Sequence, residues 1–293
     1  MVLAFGVLAL LGIVGFYLST KTVAVLSPRG PIAAQEKHLI IIAVLLMLIV
    51  VIPIFVLLGV ISWRYRASNT KARYSPDWEH NRAYEAIWWT VPLLLIISLS
   101  VLAWQNTHRL DPTRTISSVN KPIRVEAVAL RWKWMFIYPD LGVASVNYMQ
   151  FPTDTPLDFK ITSDGAMNSL WIPQLGGQIY AMAGMSTQLH LLADQPGSYR
   201  GVSANISGKG FAGMHFEANA TSRSEFDKWL VHAQSAQPLT MTTYAALAQP
   251  SQYNSPATYS LQAQGLYDTI LEKFTGPSGA MHGMNTEHMK MKH

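Results

Sequence analysis

The sequence predicts a two-helix transmembrane hairpin, an all-β domain behind it, and a short helical stretch that is rich in aromatic residues. Three observations carry that expectation. Two long uncharged apolar runs, residues 39–63 and 86–104, fill much of the first third of the chain. A basic loop joins them. From about residue 122 the texture changes to short runs of Val, Ile, Phe and Tyr, broken by clusters of Gly, Pro, Asn, Asp and Ser. Composition agrees, because charged residues are only 13% of the 293, against about 25% in an average soluble chain.

The first uncharged run has 25 residues and the second 19. A bilayer core of about 30 Å needs roughly 20 helical residues, so each run is long enough to span. Pro53 lies inside the first run and predicts a kink, because it removes one backbone hydrogen bond. Trp63, Trp88, Trp89 and Trp104 stand at the run ends, where indole rings suit the membrane–water boundary. The connecting loop, residues 64–85, carries Arg64, Arg66, Lys71, Arg73 and Arg82 against Asp77, Glu79 and Glu85. By the positive-inside rule it stays in the cytoplasm. The hairpin is then multi-pass in a bacterial inner membrane, and everything after Gln105 is periplasmic. An earlier apolar run, residues 2–18, makes residues 1–25 a signal peptide or an N-terminal anchor; no Lys or Arg precedes Lys21.

Candidate strands are 123–130, 133–138, 157–162, 170–172, 188–192, 198–204 and 214–218, which place a sandwich or small barrel over residues 122–220. Leu157, Phe159 and Ile161 alternate with Asp158, Lys160 and Thr162, as a half-buried strand requires. Ser222 with Glu225 three residues later is a capping box that opens a helix to about residue 236. Further helices are expected over 242–247 and 266–274. Tyr253, Tyr259, Tyr267 and Phe274 make residues 222–274 aromatic-rich, with packing against the β-domain as their expected work. Residues 275–293 read as a disordered tail holding Met281, Met284, Met289, Met291, His282, His288 and His293.

Charge and cysteine content exclude several classes. The chain has no cysteine, hence no disulfide, thiolate metal site or cysteine nucleophile. Residues 105–293 hold fourteen basic and thirteen acidic side chains. That near-neutral domain lacks the basic stripe a nucleic-acid partner needs. It also lacks the acidic excess that would dock a basic cytochrome c.

Several motifs then carry a resemblance. In order they are Arg64-Tyr65-Arg66, Trp89-Thr90-Val91-Pro92, Trp132-Lys133-Trp134, Ser169-Leu170-Trp171-Ile172-Pro173, the run from Gln178 to Met185, and Tyr199-Arg200-Gly201. Over residues 36–274 the chain resembles the second subunits of haem-copper terminal oxidases. The resemblance implies that the β-domain is a cupredoxin-like Greek-key barrel. In the cytochrome c branch of that family the barrel holds a two-copper centre. Its ligands are a histidine on one loop and the pattern C-x-E-x-C-G-x-x-H-x-x-M on another.

This chain keeps the loops and not the ligands. Asn168 stands where the lone histidine falls, Ser203 and Ser207 where the cysteines fall, Asn205 at the glutamate and Phe211 at the second histidine. Only Gly208 and Met214 match. Copper that cycles between two oxidation states wants thiolate, imidazole and thioether donors, and a hydroxyl does not replace a thiolate. His190 and His215 fall off the ligand positions and read as ordinary histidines.

The chain is therefore identified, by resemblance, as a member of the copper-less branch, subunit II of bacterial bo-type ubiquinol oxidases. That implies a subunit with no catalytic, cofactor or metal residue of its own. Haems and copper are expected in subunit I, with small subunits III and IV and membrane lipid as further partners. Ubiquinol is the expected substrate of the complex, and cytochrome c is not a partner. In the cytochrome c branch a tryptophan relays electrons at the position of Trp132 and Trp134; with no copper donor here, packing is their expected role. The alternative is a membrane-anchored copper-binding module that serves oxidase assembly through the Met/His tail, since thioethers and imidazoles suit copper(I).

Overall fold

In the computed structural model the described residues are 23–72 and 80–275, with Gly6, Gly12, Ile13, Gly15 and Phe16 from the first apolar run. The expected signal or anchor at residues 1–25 lies largely outside the described residues, as do residues 73–79 of the loop and the Met/His tail beyond Thr275. The chain divides into two compact units: Met1–Ser27 with Lys37–Asp111, and Pro28–Glu36 with Pro112–His293.

The first unit is built on two long helices. Helix α1 covers Pro31–Arg64 and α2 covers Arg82–Arg109. Both extend past the apolar runs that predict them. Hydropathy marks only the lipid-length middle, whereas helix ends are set by backbone chemistry. Pro31 opens α1 with a φ already suited to a helix and no N–H to leave orphaned. Asn81 caps α2, its side-chain oxygen accepting from the N–H groups of Ala83 at 3.0 Å and Tyr84 at 3.2 Å. Pro53 and Pro92 both lie within continuous helix. Leu57, Ile61, Leu94 and Ile97 are each more than half exposed. Water does not solvate such faces cheaply, and both helices are long and apolar enough to cross a membrane.

The second unit is a two-sheet β-sandwich. Its strands are β1 Ile123–Leu130, β2 Lys133–Tyr138, β3 Val143–Val146, β4 Tyr148–Pro152, β5 Leu157–Ser163, β6 Asn168–Trp171, β7 Ile179–Ala181, β8 Thr187–Leu191, β9 Gly197–Ser203, β10 His215–Thr221, β11 Pro238–Leu239 and β12 Ala257–Leu261. One sheet runs β11-β12-β3-β2-β1-β5-β8 and the other β4-β10-β9-β6-β7. Both are mixed: β1 pairs with β5 in parallel and β4 with β10 in parallel, among antiparallel neighbours. Five strands, β3, β4, β7, β11 and β12, are absent from the sequence reading. They are short, and β3 is buried on both faces, so it shows no alternation of apolar and polar residues.

Strand β2 shows how the layers are made. Trp134, Phe136 and Tyr138 point between the sheets, where Phe136 meets Phe216 of β10 at a ring distance of 4.8 Å. Met135 and Ile137 point to the opposite face. There they meet Leu239, Tyr244, Leu266, Tyr267 and Ile270. Leu239 lies on β11 and the other four on helices of the C-terminal segment, which supplies α3 Arg223–Gln234, α4 Met241–Leu247 and α5 Leu266–Thr275. The capping box opens α3 as expected: Ser222 Oγ accepts from Glu225 N, and the Glu225 carboxylate accepts from Ser222 N at 3.1 Å.

Residues 28–36 also belong to this unit, which the sequence reading did not foresee. The Arg29 amide donates to Gln174 O at 2.7 Å and its carbonyl accepts from Asp194 N at 3.0 Å. Ala33 N donates to Leu175 O at 3.3 Å. Gly30 is required here, because a Cβ at that position would lie 2.1 Å from the Leu192 carbonyl oxygen.

Buried phenols tie the stability of this unit to alkaline pH. Tyr138 donates to Gln150 O at 2.9 Å and Tyr267 pairs with Ser186 Oγ at 2.8 Å. Tyr244 donates to Asp164. Burial raises all three above the ordinary 10.0, Tyr267 to about 12. The folded domain favours the neutral phenol, so this stability is full below pH 10 and is lost as pH rises through about 12. Lys133, which burial holds below its usual range, acts with the opposite sign, but it is one group against three. The melting temperature is expected to fall between pH 10 and 12, and to fall less steeply in Tyr267→Phe. A melting temperature that stays flat through that window would contradict the assignment.

Candidate functional site

The two loops singled out by the sequence lie side by side. The first precedes β6 and carries Asn168 at the strand's first position. The second leaves β9 at Ser203 and re-enters at Met214, just before β10. Strands β6 and β9 are antiparallel neighbours, so their ends bring Asn168 and Ser203 together. Ser203 Oγ donates to Asn168 Oδ1 at 2.6 Å, and Asn168 Nδ2 donates to Ala166 O at 3.1 Å. Asn205 Nδ2 reaches Met167 O at 2.9 Å. Backbone bonds complete the join, Ala204 N to Ser169 O at 3.0 Å and Ser203 N to Met214 O at 3.1 Å.

The side chains of the other three positions do not join this group. Phe211 opens a short 3-10 turn, Phe211–Gly213. Met214 is buried among the core side chains. The Ser207 carbonyl accepts from Trp132 Nε1 at 3.0 Å, while its hydroxyl is buried with no hydrogen-bond partner among the described residues.

Trp132 sets the shape of the second loop. It sits in the two-residue turn between β1 and β2 with a φ of 64°, a strained setting for a bulky side chain. Its ring lies over Gly208 and Gly210. A Cβ on Gly210 would meet the indole at 2.5 Å, and Gly208 adopts a φ of +104° that side chains avoid. Trp134 is 0% exposed, stacked against Phe136 and edge-on to Phe216. Both tryptophans pack against neighbouring residues in this geometry. His190 is buried with Asp158 Oδ1 3.6 Å from its ring nitrogen. His215 lines a polar surface cavity of about 470 Å³ with Arg200 and Glu217.

The donor set does not fit a two-copper centre. Asn168 and Ser203 already satisfy each other, Asn205 is turned to a backbone carbonyl, and Phe211 has nothing to give. Neutral hydroxyls and amides are poor ligands for a soft redox metal. Met214 is the one soft donor at these positions. Among the described residues, no three His, Cys, Asp or Glu side chains cluster as a metal site.

Three residues at the loops escaped the sequence reading as contributors. Lys133 and Asp164 are buried charges, and Asn147 is a buried amide with φ 53° that accepts from Trp134 N at 2.9 Å. The signal for the first was a lysine inside an otherwise apolar strand, between two tryptophans.

The orphan hydroxyl gives a direct check. A buried unpaired polar group costs about 1–3 kcal/mol. Ser207→Ala is expected to leave the melting temperature unchanged or raise it. A clear fall would reveal a partner for the hydroxyl.

Comparison with known proteins places the chain. Residues 233–278 match the family model described as the COX Aromatic Rich Motif. The cytochrome bo(3) ubiquinol oxidase subunit 2 of Pseudomonas putida is 48% identical over 273 residues, covering 93% of this chain and 86% of that protein. The protein of the same name from Pseudomonas aeruginosa is 47% identical over 268 residues, covering 91% of this chain and 81% of that protein. Among solved structures, the periplasmic domain of subunit II of cytochrome oxidase from Bradyrhizobium japonicum matches 42% of this chain and 98% of its own, at 21% identity and a TM-score of 0.39. That likeness is too slight to carry weight, and the assignment rests on the relatives. At that identity and coverage, the chain belongs to the ubiquinol oxidase subunit 2 family, membrane-anchored second subunits of terminal quinol oxidases.

Proposed function

We propose that this chain is a copper-free, non-catalytic subunit of a proton-pumping oxidase that takes electrons from ubiquinol and reduces oxygen to water. The observation that carries the reading is the donor set: Ser203 and Ser207 at the thiolate positions, and Asn168 and Phe211 at the imidazole positions. In the cytochrome c branch that centre receives electrons from a water-soluble carrier. Without it, a membrane-soluble donor is the consistent choice, and ubiquinol is the donor that the relatives' names give. Haems and copper are then the property of subunit I, and the reaction proceeds there. This chain's residues bind no reacting atom. Its apolar helix faces pack against subunit I, small subunits III and IV and lipid. The β-domain stands on the periplasmic side of a bacterial inner membrane, which the basic loop at Arg64, Arg66 and Lys71 supports through the positive-inside rule.

The purified complex, assayed side by side with ubiquinol and with reduced cytochrome c, tests this. Oxygen consumption is expected with ubiquinol alone. Turnover with cytochrome c at a comparable rate would overturn the reading.

A further inference from the structure

The loops that lack metal ligands are nevertheless held by the C-terminal segment, which contributes strand β12 and helices α4 and α5. Its contacts fall at both loops. Tyr253 is 71% exposed, yet its ring lies against the second loop: a Cβ on Gly213 would come within 2.8 Å of it. Its φ of 53° is a strained setting for an aromatic residue, kept only where the surroundings impose it. Trp132 holds the same loop from the other side through Gly208, Gly210 and the Ser207 carbonyl.

Two charged pins fasten the segment to the sandwich, and they run in opposite directions. The buried Lys133, next to Trp132, sends its ammonium into the segment. It donates to Leu247 O at 2.7 Å, to Gln249 O at 3.0 Å and to Ser251 Oγ. Those carbonyls lie at and just past the C-terminal end of α4, where the helix dipole favours a cation. Asp164, whose side chain is 1% exposed, receives groups from the segment in return: the Tyr244 hydroxyl and the Lys273 ammonium. Asp164 lies on the first loop, four residues before Asn168, and its own amide is fixed to Ala129 O at 2.9 Å. Asn147 adds a neutral pin, donating to Asn254 O at 2.9 Å.

We infer that residues 240–275 form a clasp that immobilises both loops, 164–168 and 203–214, and so does mechanically what a shared metal would do by ligation. A bridging metal ties two loops at one point and removes their freedom. Here residues 240–275 hold the first loop through Asp164 and the second through Tyr253, while Trp132 of the β1–β2 turn holds the second loop from within the sandwich and Lys133 locks the clasp's own turn. The family motif matched over residues 233–278 spans this clasp. The inference rests on the copper-free reading of the loops.

Hydrogen exchange on the full-length chain, read by mass spectrometry, tests it. Tyr253→Ala removes the exposed contact without opening the core, and Lys133→Met removes the buried pin. In each, exchange of peptides covering 203–214 is expected to accelerate at least tenfold, while peptides covering strands β1 and β2 keep their rates. Loop rates that stay unchanged in Tyr253→Ala, or acceleration spread evenly over loops and strands, would overturn the clasp. Copper content of the same unsubstituted sample separates the two ideas. Stoichiometric copper would remove the copper-free reading whatever the exchange shows.

Discussion

Three consecutive residues at one tight turn organise this domain. Trp132, Lys133 and Trp134 leave the turn between β1 and β2 toward three different destinations. Trp132 lies on the glycines of the second loop. Lys133 enters the C-terminal segment, and Trp134 enters the core between the sheets. The pleat of a strand sends neighbours to opposite faces, so the lysine and the second tryptophan cannot share a side. The positive φ at Trp132 then swings its ring out of the strand and over the loop. Core, loop and helical cover therefore all depend on one local conformation.

That arrangement shows how the two loops can be held together by groups other than the ligand set of a two-copper centre. Ligand loops are long and irregular, and their backbone groups need partners. Here Ser203 and Asn168 join the loops by a neutral hydrogen bond, the backbone of Ala204 crosses to Ser169, and Trp132 and Tyr253 lie against the glycines of the second loop. The burial of Lys133 with only neutral acceptors is tolerable because three oxygens surround it. Three buried side-chain donors lack a partner among the described residues: the Ser207 hydroxyl and the indole N–H groups of Trp134 and Trp229.

Much of this was legible in the sequence, for identifiable reasons. The hairpin announced itself through run length and charge, and α3 through its capping box. Strands β1, β2, β5 and β9 showed through their β-branched and aromatic residues. The ends of α1 and α2 lie beyond the apolar runs because hydropathy measures lipid-length apolarity rather than caps. Strand β3 was missed because a strand buried on both faces, with Ala144 and Ser145 at its centre, carries no period. The six loop positions were read through the resemblance to the family's ligand pattern, and the structure gathers the side chains of three of them, Asn168, Ser203 and Asn205. What spacing could not supply was the pairing of distant residues. Asp164 with Lys273 is separated by 109 positions and Lys133 with Leu247 by 114, and neither pair leaves a local trace.

The donor set at Asn168, Ser203, Asn205, Ser207, Phe211 and Met214 is expected to hold no two-copper centre. The direct measurement is copper content together with visible and electron paramagnetic resonance spectra of the purified full-length chain, loaded with copper and washed. Copper at background level and no mixed-valence signal is the expected result. Two coppers per chain, with the spectrum of a thiolate-free mixed-valence pair, would contradict the account.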